Sequence, residues 1–204
     1  ILNGSVSRFL KYVLVKQVTV GKHGDAAVSA AEFKGEDATT GYDRIPLHMI
    51  ANDGNLLEHA LAFDGTRRTT KGTTPMHAIA ERYDIIIDFA KHGILPQDKL
   101  YFVNIASHVT GKRPEPQDVS LQTILDGTYE KRIVEGNMCG DPCIGKFMEF
   151  RVRPLDPLIN GGIDCSSDPS DYEPGKKQLI PIDRISAYET KNAIHRNFRF
   201  VESP

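Results

Sequence analysis

Apolar positions along this chain fall into short runs of β-branched and aromatic residues, each cut by a charged or turn-forming cluster. Two runs set the pattern, residues 79–89 and residues 45–57. Runs of this length and composition predict strands, because an amphipathic helix would repeat its apolar residues every three to four positions. The chain therefore reads as mainly β.

The remaining segments extend that reading. Residues 8–20 predict a long strand with one face toward water, since Lys11 and Lys16 interrupt its apolar positions. Residues 21–41 lack a period and read as a surface insertion with a loose helical turn near 28–33. Residues 45–52 predict a strand that ends at Asp53-Gly54, a pair that tolerates positive φ, and residues 56–63 a further extended piece. The polar stretch 64–75 reads as a loop in which Arg67 and Arg68 are solvated. Residues 83–89 form the most strongly β segment, 95–98 a turn, and 100–105 a central strand. A Pro-containing loop at 106–117 precedes residues 119–127, whose helical spacing and Gly stop predict about two turns of helix. Residues 146–153 alternate as a strand that Pro154 ends.

Residues 155–181 are rich in proline, Gly-Gly, Ser-Ser and Lys-Lys, which predicts an extended linker without packed structure. Asp183 is placed to cap a helix over 185–193, and residues 196–201 alternate again. A strand beginning near residue 204, and an opening at Ile1 without initiator Met or signal segment, lead us to expect a piece of a longer protein. About seven strands with turn signals between them predict an all-β fold, a Greek-key β-sandwich or barrel with one or two short helices.

Composition narrows the function classes. A chain of 204 residues buries a substantial core. Its net charge of -2 and lack of Lys/Arg clusters argue against a nucleic-acid surface or a polybasic membrane anchor. No apolar run approaches the roughly 18 residues that cross a bilayer.

Candidate chemistry is sparse. Cys139, Cys143 and Cys165 lack zinc-site spacing. In Cys139-Gly-Asp-Pro-Cys143 the turn brings two thiols within bridging range, which leaves open a local disulfide, buried reduced thiols, or a pairing with Cys165. A bridge would indicate an oxidising compartment. If Asp53-Gly54 closes a two-residue hairpin, His48 faces His59 with Cβ atoms about 5 Å apart, near enough to share a metal ion. The alternative is two structural or surface histidines. His77, His92, His108 and His195 stand in polar or loop contexts and read as surface residues. Glu81-Arg82 at the head of a strand predicts an ion pair or a charge-to-backbone hydrogen bond, in preference to a substrate contact. Asp84 and Asp88 share a strand face and read as solvated. No Gly-rich phosphate loop and no supported Ser-His-Asp arrangement is present.

Four segments, in order and spacing, carry a family resemblance. These are Ile1-Leu-Asn-Gly-Ser-Val-Ser-Arg8, Ile50-Ala-Asn-Asp-Gly-Asn-Leu-Leu57, Ala80-Glu-Arg-Tyr-Asp-Ile-Ile-Ile-Asp-Phe89 and Met148-Glu-Phe-Arg-Val152. Together they resemble the middle cupredoxin domain of three-domain multicopper oxidases of the bacterial laccase, spore-coat oxidase and phenoxazinone synthase type. The resemblance implies a cupredoxin-like β domain over residues 1–153 with a truncated first strand. Residues 154–204 would then be a linker, short helix and strand leading toward a third domain.

The parent enzymes of that family oxidise phenols, aminophenols or metal ions one electron at a time and reduce dioxygen to water. Their copper, a mononuclear type 1 site and a trinuclear cluster, is bound by HxH pairs and a His-Cys-His segment of the first and third domains. This sequence contains neither motif. The resemblance therefore implies a copper-free, inactive segment that spaces the flanking copper-bearing domains and forms a wall of the substrate cleft. It also implies a periplasmic or extracellular setting. The long stretches 21–41 and 106–145 would set substrate access if either lies over that cleft. Two other classes compete: a stand-alone β-sandwich binding module that works through its loops, and a small metal-binding protein using His48 and His59.

Overall fold

The computed structural model describes residues 1–17, 42–63, 72–89, 91–109, 113–125, 127–129, 133–134, 137–138, 140–154, 156, 169–194 and 196–197. Nine strands are present among them: β1 (Tyr12–Gln17), β2 (Tyr42–Arg44), β3 (Leu47–Asn52), β4 (Asn55–Phe63), β5 (Tyr83–Ile86), β6 (Lys99–Asn104), β7 (Ile133–Val134), β8 (Asn137–Met138) and β9 (Gly145–Arg151). The helices are short, α1 (Leu121–Leu125) and α2 (Ala187–Asn192), with a 3-10 turn at Pro169–Tyr172. The fold is mostly β, as its alternating runs predict.

Every strand pairing is antiparallel. One sheet has the order β2-β1-β6-β9 and a second the order β4-β3-β5, while β7 and β8 form a separate ribbon. The two larger sheets face one another. Tyr12, Leu14, Leu100 and Phe102 from the first meet Leu47, Met49, Phe63 and Tyr83 from the second in one buried cluster. Each fully buried Leu or Phe of this kind contributes about 1.5–3 kcal/mol relative to exposure.

The outer face of the first sheet is also covered. Val13, Val15, Tyr101 and Val103 pack with Leu121 and Leu125 of α1 and with Tyr42. This corrects the expectation that the first strand turns one face to water: Tyr12, Val13, Leu14 and Val15 are all buried. A strand covered on both faces reads as a continuous apolar run. Lys16 remains on it by reaching the edge, where its ammonium lies 3.1 Å from Asp98.

Asp53 and Gly54 turn with φ of 51° and 82°, as a tight hairpin between β3 and β4 requires. The predicted helix over 119–127 is shorter, reduced to α1, and Gly127 follows it at φ 76°. Helix α2 is capped by Ser186, not Asp183. Its hydroxyl accepts from the Glu189 N–H, and the Glu189 carboxylate accepts in return from the Ser186 N–H.

The stretch 155–181 is not wholly an unpacked linker. After the 3-10 turn, the Leu179 N–H donates to the Glu58 carbonyl of β4 at 2.9 Å, and Gln178 donates to the Glu58 carboxylate at 2.7 Å. Proline removes ladder donors, but it leaves the carbonyls and neighbouring side chains free to dock. The insertion at 21–41, Arg67 and Arg68 lie outside the described residues, as does most of the strand expected at 196–201.

Candidate functional site

The N-terminal segment, the segment 72–83 and the β3–β4 hairpin meet at one end of the sandwich. Asn3 is buried and fully used: its amide donates to the carbonyls of Arg8 (2.8 Å) and His77 (2.9 Å), and its oxygen accepts from the Ser5 N–H (3.1 Å) and hydroxyl (2.7 Å). An isolated bridge joins Leu2 to Arg82, and the Asp53 N–H donates to the Arg82 carbonyl at 2.9 Å. Glu81 completes the junction. Its carboxylate accepts from the Ala78 N–H (2.7 Å), the Asn52 amide (2.9 Å) and the Tyr83 hydroxyl (3.2 Å). The charge-to-backbone bond expected of this residue is present. Arg82 turns outward instead and lies 3.4 Å from Asp53.

Inside the junction, the Tyr12 hydroxyl lies 2.5 Å from His77 Nδ1, and His77 Nε2 lies 2.6 Å from the Glu81 carbonyl. Tyr83 stacks on the imidazole with ring centroids 4.2 Å apart. Burial lowers the pKa of His77, with Glu81 opposing the shift. Burial raises the pKa of both Tyr12 and Tyr83, and Glu81 adds to each shift. At neutral pH the network therefore holds a neutral imidazole between two protonated phenols. None of the three is poised to exchange a proton, and their work is to satisfy one another in the interior.

Tyr83 also closes one side of an apolar cleft of about 280 Å³ between the two sheets. Its walls are Ile1, Ile50, Ile85, Ile87, Phe102 and Phe150, with the exposed Asp84 at the rim. Beyond it, Phe147 and Met148 of edge strand β9 stay 44% and 43% exposed, so the apolar surface continues outward. Chemically, this arrangement can hold apolar surface. It presents no nucleophile and no acid/base pair.

A second buried knot centres on Asp141, which has no exposed surface. Its carboxylate accepts from the backbone N–H groups of His108 (2.7 Å) and Cys143 (2.9 Å) and pairs with Arg8. His108 is 1% exposed and stacks on Phe9 at 6.0 Å, and neither ring nitrogen has a hydrogen-bond partner among the described residues.

The structure separates several residues that the sequence placed together. His48 stands opposite Ala62, not His59. The pairs Asn52–Asn55 and Ala51–Leu56 keep the two-residue hairpin register, but Met49 then faces Leu61. In between, β3 contributes only Ile50 and β4 contributes Leu57, Glu58, His59 and Ala60. The bulge removes the expected opposition. His48 Nε2 lies 3.1 Å from the Glu173 carboxylate, and His59 lies 3.9 Å from Glu58. Among the described residues no three metal-ligating side chains converge.

His77 and His108, expected at the surface, are buried because the loops that carry them cross the ends of the sandwich. His92 is half-buried, and His195 lies outside the described residues. Asp88 falls beyond β5, where its carboxylate accepts from the Lys91 N–H at 2.9 Å, so it caps a turn and does not share a strand face with Asp84. Cys143 is an exposed free thiol, while Cys139 and Cys165 lie outside the described residues.

Sequence reasoning passed over Asn3, Tyr12 and Asp141. Asn3 and Asp141 carried a local signal, since an Asn or Asp two residues before a turn N–H is placed to accept from it, and Tyr12 carried none. Set against family models, curated proteins and solved structures, the chain matches none of them.

Proposed function

We propose that the chain is the middle, copper-free domain of a laccase-type multicopper oxidase, a Greek-key cupredoxin-like sandwich that spaces two copper-bearing neighbours and walls part of the substrate cleft. One observation carries this reading. The four segments of the resemblance lie far apart in sequence, yet each contributes to the walls of a single cleft: Ile1 from the first, Ile50 from the second, Tyr83, Ile85 and Ile87 from the third, and Phe150 from the fourth. The hydrogen bonds through Asn3, Asp53 and Glu81 lock three of them together. A shared structural centre is a physical reason for these segments to occur together, and its apolar, unreactive lining suits packing and positioning.

The test uses the natural gene product. The coding frame is read on both sides of this segment, and the product is assayed for copper, for the blue band of a type 1 site and for oxygen-dependent phenol oxidation. HxH motifs on both sides and a His-Cys-His downstream are expected, with copper in the product and none in the 204 residues alone. Stop codons without those motifs would leave a self-contained β-sandwich module in place of this reading. Stoichiometric copper held by the isolated segment would overturn it as well.

A further inference from the structure

On the opposite face of the first sheet, a bulge builds a second cluster. The register pairs Tyr101 with Glu149 and Phe102 with Met148, but Val103 with Lys146, so Phe147 is the extra residue on β9. In an unbulged strand Lys146 and Glu149 would point to opposite faces, because successive side chains alternate. The added residue brings both to the face of Tyr101 and Val103, an effect typical of bulges that re-aim a side chain.

The result is an amine between two rings. The Lys146 Nζ lies 4.2 Å from the Tyr101 ring centroid and 4.7 Å from that of Tyr42, and donates to the Tyr42 hydroxyl at 2.5 Å. The Tyr101 hydroxyl in turn donates to Gln17 at 3.3 Å. The charged groups nearby are Glu149 on the same strand and Lys99 on β6, 3.8 Å from each other, with Arg151 also held on Glu149. Among the described residues, helix α1 packs Leu121, Ile124 and Leu125 against this face of the sheet. Lys146 as a whole remains exposed, so reagents in solution reach it.

We propose that Lys146 is a covalent capture site for small carbonyl electrophiles, aldehydes foremost, held as an iminium between the rings of Tyr42 and Tyr101. The Lys146 pKa is brought down to about 8, first by burial of its ammonium and then by Lys99, with Glu149 opposing. A substantial fraction of free amine is therefore present near neutral pH. The ammonium gives a proton to water, and the nitrogen lone pair attacks the carbonyl carbon. The amine proton moves to the carbinolamine oxygen, the proton first given to water returns to that hydroxyl, and it leaves as water while the nitrogen lone pair closes the C=N bond. Overall, one ammonium and one aldehyde give one iminium and one water, with no change of oxidation state. The product cation is more diffuse and less strongly hydrated than the ammonium it replaces. It keeps the attraction of both ring faces while losing less hydration, which favours it at this site.

The test is competitive labelling of the native protein at pH 7.5 with limiting acetaldehyde and cyanoborohydride, followed by peptide mass mapping. Lys146 is expected to be ethylated about tenfold or more ahead of Lys91 and Lys176, because an ordinary lysine of pKa near 10.4 is almost wholly protonated at that pH. Its labelling rate should rise with pH and level off above about 8. In urea the preference should vanish. Labelling of Lys146 no faster than Lys91 and Lys176 in the folded protein would overturn the proposal, and so would a preference that survives unfolding.

Discussion

The phenol oxygen of Tyr12 and Nδ1 of His77 lie 2.5 Å apart, and the direction of that contact is set from the far side of the imidazole. The other ring nitrogen faces the Glu81 carbonyl, which only accepts, so Nε2 carries the proton. In the neutral ring Nδ1 must then accept, and Tyr12 donates. Removing the hydroxyl in Tyr12→Phe strands a buried acceptor. The substitution is expected to cost about 1–3 kcal/mol in urea unfolding, more than the loss of an exposed hydroxyl such as that of Tyr188.

Acid should weaken the fold through the same residue. Burial holds the folded pKa of His77 below its unfolded value, so the unfolded chain binds the proton more readily. Stability from this group is complete above the unfolded pKa of about 6.5 and is lost as pH falls from there through the folded value. His77→Gln should flatten the stability profile in that window while lowering stability at neutral pH. A profile as steep as that of the native protein would contradict the assignment.

The Glu81 carboxylate ties the segment before β5, the β3–β4 hairpin and β5 into one junction through Ala78, Asn52 and Tyr83. Glu81→Ala leaves a backbone donor and an amide without their acceptor, and a loss of about 2–4 kcal/mol is expected. Glu81→Gln keeps an acceptor oxygen and should lose about half as much. Chemical unfolding of the two variants side by side measures the difference.

Gly54 adopts φ of +82° in the hairpin, and an added Cβ would meet nothing within 4 Å. The cost of Gly54→Ala is therefore backbone strain alone, about 1–2 kcal/mol. Gly54→Asn should cost less, since Asn visits this region more readily. Equal losses for the two would point to a side-chain clash that the structure lacks.

Asp141 is wholly buried with Arg8 as its counterion. Asp141→Ala leaves two backbone donors and a guanidinium unpaired, with an expected loss of about 3–5 kcal/mol. It also frees the turn at Cys143, whose thiol should then react faster with a disulfide reagent. Unchanged thiol kinetics would show that the carboxylate does not hold that turn.

Much of the β architecture was legible because burial of alternate residues writes itself into the chain. The run at 100–105 is central because Leu100 and Phe102 face one cluster while Tyr101 and Val103 face another. Asp53-Gly54 announced its turn through backbone sterics alone. The candidate site was less legible. His77 and His108 stand among polar neighbours, and only loops packed across the ends of the sandwich bury them. Lys146 gave no signal, since a single bulge at Phe147 decides which face it occupies.

The sequence by itself determined the principal strands β1, β3, β4, β5, β6 and β9 and where the β3–β4 hairpin turns, and it holds the Ser186–Glu189 box that caps α2, which the reading of Asp183 as the cap passed over. These follow from side-chain period, steric limits on φ and hydrogen bonds that reach a few residues, all of which are local. Only the tertiary structure decided that β1 is covered on both faces, that His48 stands opposite Ala62, and that Ile1, Ile50, Tyr83 and Phe150 share one cleft. Register and sheet-on-sheet packing set those outcomes. A one-residue shift in either reverses which side chains meet, and no local pattern encodes it.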